Sequence, residues 1–227
     1  MSEQKREKVF VIHGRNTAIR DAMFEFLEAI RLSAIEWNEA VKLTGKPLPY
    51  IREIIDAGFA NAQALVGILT GDDVARLHPD FCTENDPSYE TQFTPQARPN
   101  VLLELGMALA LHPDQTVLIQ VGDIRPLSDL GGLHILRFDN SVAKRQELAQ
   151  RLELTGCKIV LDGTRWHTAG IFTEPQLNPI QASPFAPKYC LPILNFGKKV
   201  HDDFETLHAA YIDPLCRDID RVISQTI

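Results

Sequence analysis

Basic residues are in the minority in this chain of 227 residues, where 23 lysines and arginines stand against 30 aspartates and glutamates for a formal net charge of −7. That sign argues against broad attachment to nucleic acid or to an anionic membrane, since either needs a basic face to release counterions. Cysteine is scarce as well: Cys82, Cys157, Cys190 and Cys216 lie far apart with no C-x-x-C pair. Neither a zinc centre nor a disulfide framework is indicated, the thiols are expected to be reduced, and His112 and His134 lack metal-ligand spacing, so no metal is expected. No apolar run reaches the roughly 20 residues that span a bilayer, and the amino end Met1-Ser2-Glu3-Gln4-Lys5-Arg6-Glu7-Lys8 is too polar for a signal peptide. The expected location is cytoplasmic. The phosphate loops G-x-G-x-x-G and G-x-x-x-x-G-K-[ST] are missing, which argues against a Rossmann dehydrogenase or a P-loop ATPase, and there is no G-x-S-x-G nucleophile elbow.

What is present, 44% hydrophobic and 23% charged residues, suits a globular protein with one good core and room for a small second unit. Residues 9–12 form an apolar run closed by His13-Gly14-Arg15-Asn16, after which Ile19, Met23, Phe26, Leu27 and Ile30 recur at helical spacing. Residues 33–37 read as a second strand, 38–49 as a loop, 50–61 as a helix and 64–69 as a third strand ending in Thr70-Gly71-Asp72-Asp73. The polar stretch 77–99, with Pro79, Pro87, Pro95 and Pro99, is too long for a simple connector and reads as functional or mobile. A helix over 100–111, strands at 116–121 and 133–138, and an amphipathic helix at 142–154 follow, with one more strand possible at 157–161. No internal repeat is seen.

Strands that are continuously apolar and alternate with helices predict an α/β fold: a five-stranded parallel sheet covered on both faces. In such sheets ligands bind outside the carboxyl ends of the strands, and those ends carry His13, Gly14, Arg15, Asn16, Trp37, Thr70, Asp72 and Asp73. Beyond residue 157 the texture changes. A proline-rich irregular segment precedes a tail whose apolar residues regain helical spacing over 198–227, broken by Pro214. Residues 158–227 are expected to form a C-terminal extension with a regulatory or oligomerisation role.

One carboxylate stands out, Glu104 in the apolar run Asn100-Val101-Leu102-Leu103-Glu104-Leu105-Gly106-Met107-Ala108. A charge there needs a partner or a chemical use. With Asn100 as N-cap behind Pro99, Glu104 falls just past the first turn, where free amides favour an anion and keep it ionised. Gly106 costs roughly 1 kcal/mol against alanine inside a helix, as though something approaches that backbone closely. The competing reading is a Glu104 on a narrow solvent-facing stripe, or one tied to Arg98 or Arg15.

Three ordered motifs, Val9-Phe10-Val11-Ile12-His13-Gly14-Arg15-Asn16, Leu69-Thr70-Gly71-Asp72-Asp73 and Arg98-Pro99-Asn100-Val101-Leu102-Leu103-Glu104-Leu105-Gly106, together resemble the bacterial predicted nucleotide-binding proteins with a TIR-like domain. Those serve as effectors of STING-type and cyclic-nucleotide antiphage systems. The resemblance covers residues 8–157. It implies a flavodoxin-like TIR domain that cleaves the nicotinamide–ribose bond of NAD+, with Glu104 as catalytic glutamate, NAD+ as substrate and no further cofactor. It also implies that His13, Gly14, Arg15 and Asn16 face the dinucleotide, Gly14 by close backbone access and Arg15 by its charge. Trp37 reads equally as core or as a surface that stacks on a nicotinamide or adenine ring. Asp72 accepts from a ribose or caps the next helix, Arg98 meets phosphate or Glu104, and Asn100 fits a cap better than a contact.

Such domains are usually quiet alone and act when assembled side by side. The loop after the second strand, with Lys42, Gly45 and Lys46, would then complete a neighbour's site. Expected partners are therefore NAD+, further copies of the chain, and a cyclic-nucleotide or protein activator. Two other readings compete: a non-catalytic TIR scaffold that binds nucleotide without turning it over, and a nucleoside 2-deoxyribosyltransferase-like enzyme, which would carry a covalent adduct on the glutamate.

Overall fold

A computed structural model describes residues 3–173. After a 3-10 turn at Glu3–Glu7 come β1 (Lys8–Ile12), α1 (Thr17–Ala29), β2 (Ser33–Ile35), α2 (Trp37–Leu43), α3 (Ile51–Asn61) and β3 (Ala64–Leu69). Next in the chain are β4 (Asp73–Ala75), the short α4 (Ser88–Thr91) and β5 (Thr94–Gln96). Then come α5 (Pro99–Leu111), β6 (Thr116–Val121), β7 (Leu136–Phe138) and α6 (Val142–Leu154). Five strands form one parallel sheet in the order β2-β1-β3-β6-β7, the α/β sheet expected from the alternating elements, in the flavodoxin-like arrangement that the resemblance implies. β4 and β5 pair antiparallel as a separate ribbon.

The side-chain period of two divides β1 between two cores. Val9 and Val11 face α1 and α6, joining Met23, Phe26, Leu27, Leu148 and Leu152; Phe10 and Ile12 face α3 and α5, joining Ile55, Phe59, Val101 and Leu105. β3 is buried along its whole length, as a central strand with helices on both faces must be. With α1 on one face and α3 and α5 on the other, all the loops that follow strands emerge at one rim.

Several expectations are corrected. The second strand stops at Ile35, because Trp37 opens α2; the expected loop 38–49 is thus helical to Leu43 and irregular only over residues 44–50. Only Ala40 of α2 is buried, so its sequence shows too little apolar spacing to announce a helix. The stretch 77–99 is an ordered ribbon arm, with Arg125 paired to Glu90 and the Arg125 amide donating to the Pro95 carbonyl at 2.7 Å. β7 begins at Leu136, three residues later than expected. No strand forms at 157–161: Lys158 donates its amide to Arg6 at 2.9 Å and Val160 to Ile30 at 3.1 Å, two partners on different elements, so no ladder builds.

Packing continues past residue 157. Trp166 and Phe172 are buried against α1 and α6, and the α6 residue Arg145, only 2% exposed, donates to the carbonyls of Ala169 and Gly170, the second at 2.7 Å. The Phe172 amide donates to Asn140 Oδ1 at 2.8 Å and the Gly170 amide to Glu25 Oε2 at 3.1 Å. Residues 164–173 are thereby strapped to the sheet domain. The helix expected over 198–227 lies outside the described residues. Among the described residues no helix is long and apolar enough to cross a membrane, and no His, Cys, Asp and Glu cluster could hold a metal.

Candidate functional site

The loop after β1 is fixed by a carboxylate from the far side of the sheet's switch point, the crevice between β1 and β3 where strand order reverses. Asp72 accepts from the backbone amides of Arg15 and, at 3.2 Å, Asn16. Gly14 makes this possible, because a Cβ there would overlap the Asp72 carboxylate. Asn16 is the N-cap of α1, its side chain accepting from the Ile19 amide at 3.2 Å. The amides leading into this helix, a region that serves as an anion site in many α/β folds, are thus engaged within the protein, those of Arg15 and Asn16 by the Asp72 carboxylate and that of Thr17 by the Arg15 carbonyl. Asp72 serves this loop rather than capping the helix that follows it, and Asn16 is a cap.

On α5, Arg98 in extended conformation is the N-cap and Pro99 the first helical residue, so the predicted Asn100 cap is corrected by two residues: Asn100 is exposed, inside the first turn. Val101, Leu105 and Ala108 turn inward against the sheet. Glu104 projects from the flank of the same helix and is half-buried. Among the described residues it has neither a hydrogen bond nor an ion pair. The suggested ties to Arg98 and Arg15 are not made; Arg98 lies 3.7 Å from Asp73 Oδ1 instead. Burial raises the Glu104 pKa above the ordinary value, opposite to the lowering expected from the helix start, because the charge sits past the reach of the free amides and loses water.

Glu104 opens into a cavity of about 310 Å³ lined also by His13, Arg20, Phe24, Glu36, Trp37 and Asn38. The carboxyl ends of β1 and β2, the first turns of α1 and α2, and the middle of α5 meet here. Trp37 is 44% exposed and lines the cavity rather than filling the core. His13 Nδ1 lies 2.9 Å from the Gly14 carbonyl. Burial, with the charge of Arg20 adding to it, lowers the His13 pKa and favours the neutral ring. Arg20 is bound to its exposed neighbour Asp21, Nη2 to Oδ1 at 2.7 Å, and its guanidinium lies 5.9 Å from the Phe24 ring centre.

Of the residues singled out in the sequence, the cavity therefore gathers His13, Trp37 and Glu104. Gly14, Arg15, Asn16, Asp72 and Arg98 form the adjoining loop network, with the Arg15 side chain exposed; Thr70 is buried at the end of β3, its carbonyl accepting from the Asp72 amide at 2.9 Å. Gly106 faces elsewhere, towards a separate cavity with Leu102, Arg125 and Leu127, and a Cβ there would meet nothing. It does not serve the Glu104 cavity. Lys42 lies in the last turn of α2, Gly45 takes a left-handed turn, and Lys46 pairs with Glu53. Arg20, Phe24, Glu36 and Asn38 went unnoticed in the sequence. They come from elements distant along the chain, and only Arg20, one turn after the Asn16 cap, gave a usable signal: a cation on the α1 turn nearest the rim.

No curated relative matches the chain. A family model does: residues 8–140, more than half of the chain, match the CAP12/Pycsar effector protein TIR domain, so the chain belongs to this family of antiphage TIR effectors.

Proposed function

We propose that the domain is an NAD+ hydrolase in which Glu104 acts on the nicotinamide–ribose bond. The observation that carries this reading is the half-buried, unpaired Glu104 carboxylate, set beside an exposed indole in a cavity at the carboxyl rim of the sheet. The reaction breaks the bond from ribose C1′ to the ring nitrogen, and the electron pair leaves on nicotinamide, which becomes neutral. Positive charge builds on the ribose, where a carboxylate stabilises it; water then adds at C1′ and releases one proton. Since the leaving group is already cationic, no general acid is needed, and one carboxylate suffices where common glycosidases use two. Trp37 offers its face to the nicotinamide ring, and neutral His13 adds no opposing charge.

Self-assembly is the proposed means of activation. The family supports it, as do the exposed apolar side chains of Leu48 (90%) and Tyr50 (80%) on the segment after α2, which carries Gly45 and Lys46. Nicotinamide release from NAD+, followed over a wide range of protein concentration with a crowding agent, tests both parts. Release that rises faster than protein concentration and falls about 10²–10³-fold in Glu104→Ala is the expected result. No release by either protein would favour a binding module, and base exchange between a deoxynucleoside and a free base would favour the transferase reading.

A further inference from the structure

We infer that the Glu104 cavity recognises a nicotinamide ribosyl 5′-phosphate rather than the whole dinucleotide, and that Arg20 is its phosphate contact; this rests on the hydrolase reading above. Three observations converge. First, the amides around the start of α1 are engaged within the protein, those of Arg15 and Asn16 by the Asp72 carboxylate, that of Thr17 by the Arg15 carbonyl and that of Ile19 by the Asn16 side chain, so a phosphate must find its counter-charge elsewhere. Second, among the described residues Arg20 is the one permanent cation that lines the cavity, whose other titratable side chains are Glu36, Glu104 and His13; Arg15 does not line it. Third, about 310 Å³ is at the lower end of the roughly 300–1,000 Å³ found for ligand pockets, enough for the reacting half of a dinucleotide.

Charge sorts that half along the cavity. The cationic ring and the ribose belong beside Glu104, and the dianionic or diester phosphate belongs at Arg20. The present partner of Arg20 is no obstacle, because Asp21 is largely exposed and such pairs contribute little. Planar guanidinium, with its fork of donors, suits a phosphate better than an ammonium would. The adenosine end then lies outside the cavity and adds little to recognition.

The test is calorimetric titration of full-length Glu104→Gln, which cannot turn over, with NAD+, nicotinamide mononucleotide and nicotinamide riboside, repeated with Arg20→Gln, Arg20→Lys or Arg15→Gln added. The expected result is similar affinity for the two phosphorylated ligands. Arg20→Gln should weaken both about tenfold or more, as loss of a charge-assisted hydrogen bond does, while riboside binding stays unchanged and Arg20→Lys recovers part of the loss. Equal weakening of the riboside would make Arg20 a structural residue and overturn the inference, as would loss in Arg15→Gln with none in Arg20→Gln. A mononucleotide bound far more weakly than NAD+ would overturn the half-dinucleotide reading. Absence of binding by all three ligands, in a protein whose melting shows it folded, would bring down the hydrolase reading itself.

Discussion

Glu104 costs the empty domain stability, and the sign of the cost can be worked through. Below the ordinary pKa of 4.5 the carboxyl is protonated in folded and unfolded chain alike and no penalty arises. As pH rises through that value towards the raised folded pKa, the unfolded chain releases its proton first and stability falls; above the folded pKa the full penalty stays. Glu104→Gln should therefore raise Tm by a few degrees near neutral pH and leave it unchanged well below pH 4.5, as read by thermal melting, while abolishing nicotinamide release. His13 works in the other direction. Its folded pKa is lowered, so it takes nothing from stability above the ordinary 6.5 and destabilises as pH drops through that value; His13→Gln should flatten that part of the stability profile. Gly14→Ala would drive a methyl into Asp72, and the expected outcome is a lower Tm together with slower nicotinamide release. At this scale the sequence disclosed Glu104, because a lone charge in an apolar helix is visible without coordinates. It hid Glu36, and it showed Arg20 only as a cation near the start of α1, since nothing in either local pattern says that two separate elements turn them towards the same space.

Elements with a continuous apolar run or a regular amphipathic stripe were legible to the residue: β3, β6 and α6 have the bounds that their periodicity predicts. Elements held by a single buried side chain were not, and α2, which rests on Ala40, is the example. The segment after α6 was misread for a related reason. The amides of Lys158 and Val160 meet backbone carbonyls on two separate elements, not one strand neighbour, and further along the backbone is held by side chains, Arg145 the chief of these. Arg145→Met should cost about 1–3 kcal/mol by leaving the Ala169 and Gly170 carbonyls without their donor, and hydrogen exchange should show the amides of residues 166–173 losing protection before the rest of the domain. Gly170→Ala should release the same strap: its φ of +70° alone costs about 1–2 kcal/mol for an alanine, and the new methyl would meet the Ala22 backbone.

For the molecule as a whole, a charge of −7 on every copy opposes the association proposed as the trigger. Raising ionic strength from low to physiological values should thus lower the protein concentration at which nicotinamide release begins, as screening reduces the repulsion; light scattering alongside the activity assay checks it. Fold class was legible at this scale because continuously apolar strands that alternate with helices demand a parallel sheet covered on both faces. The cavity's exact lining was not, as it depends on how α1, α2 and α5 converge at one rim. The unpaired Glu104 also makes the cavity a filter for oxidation state. A pyridinium ring brings the positive charge that this carboxylate lacks, whereas the dihydropyridine of the reduced dinucleotide is neutral and brings none, so the reduced form should neither be cleaved nor compete, and the domain would deplete one member of the redox couple while sparing the other.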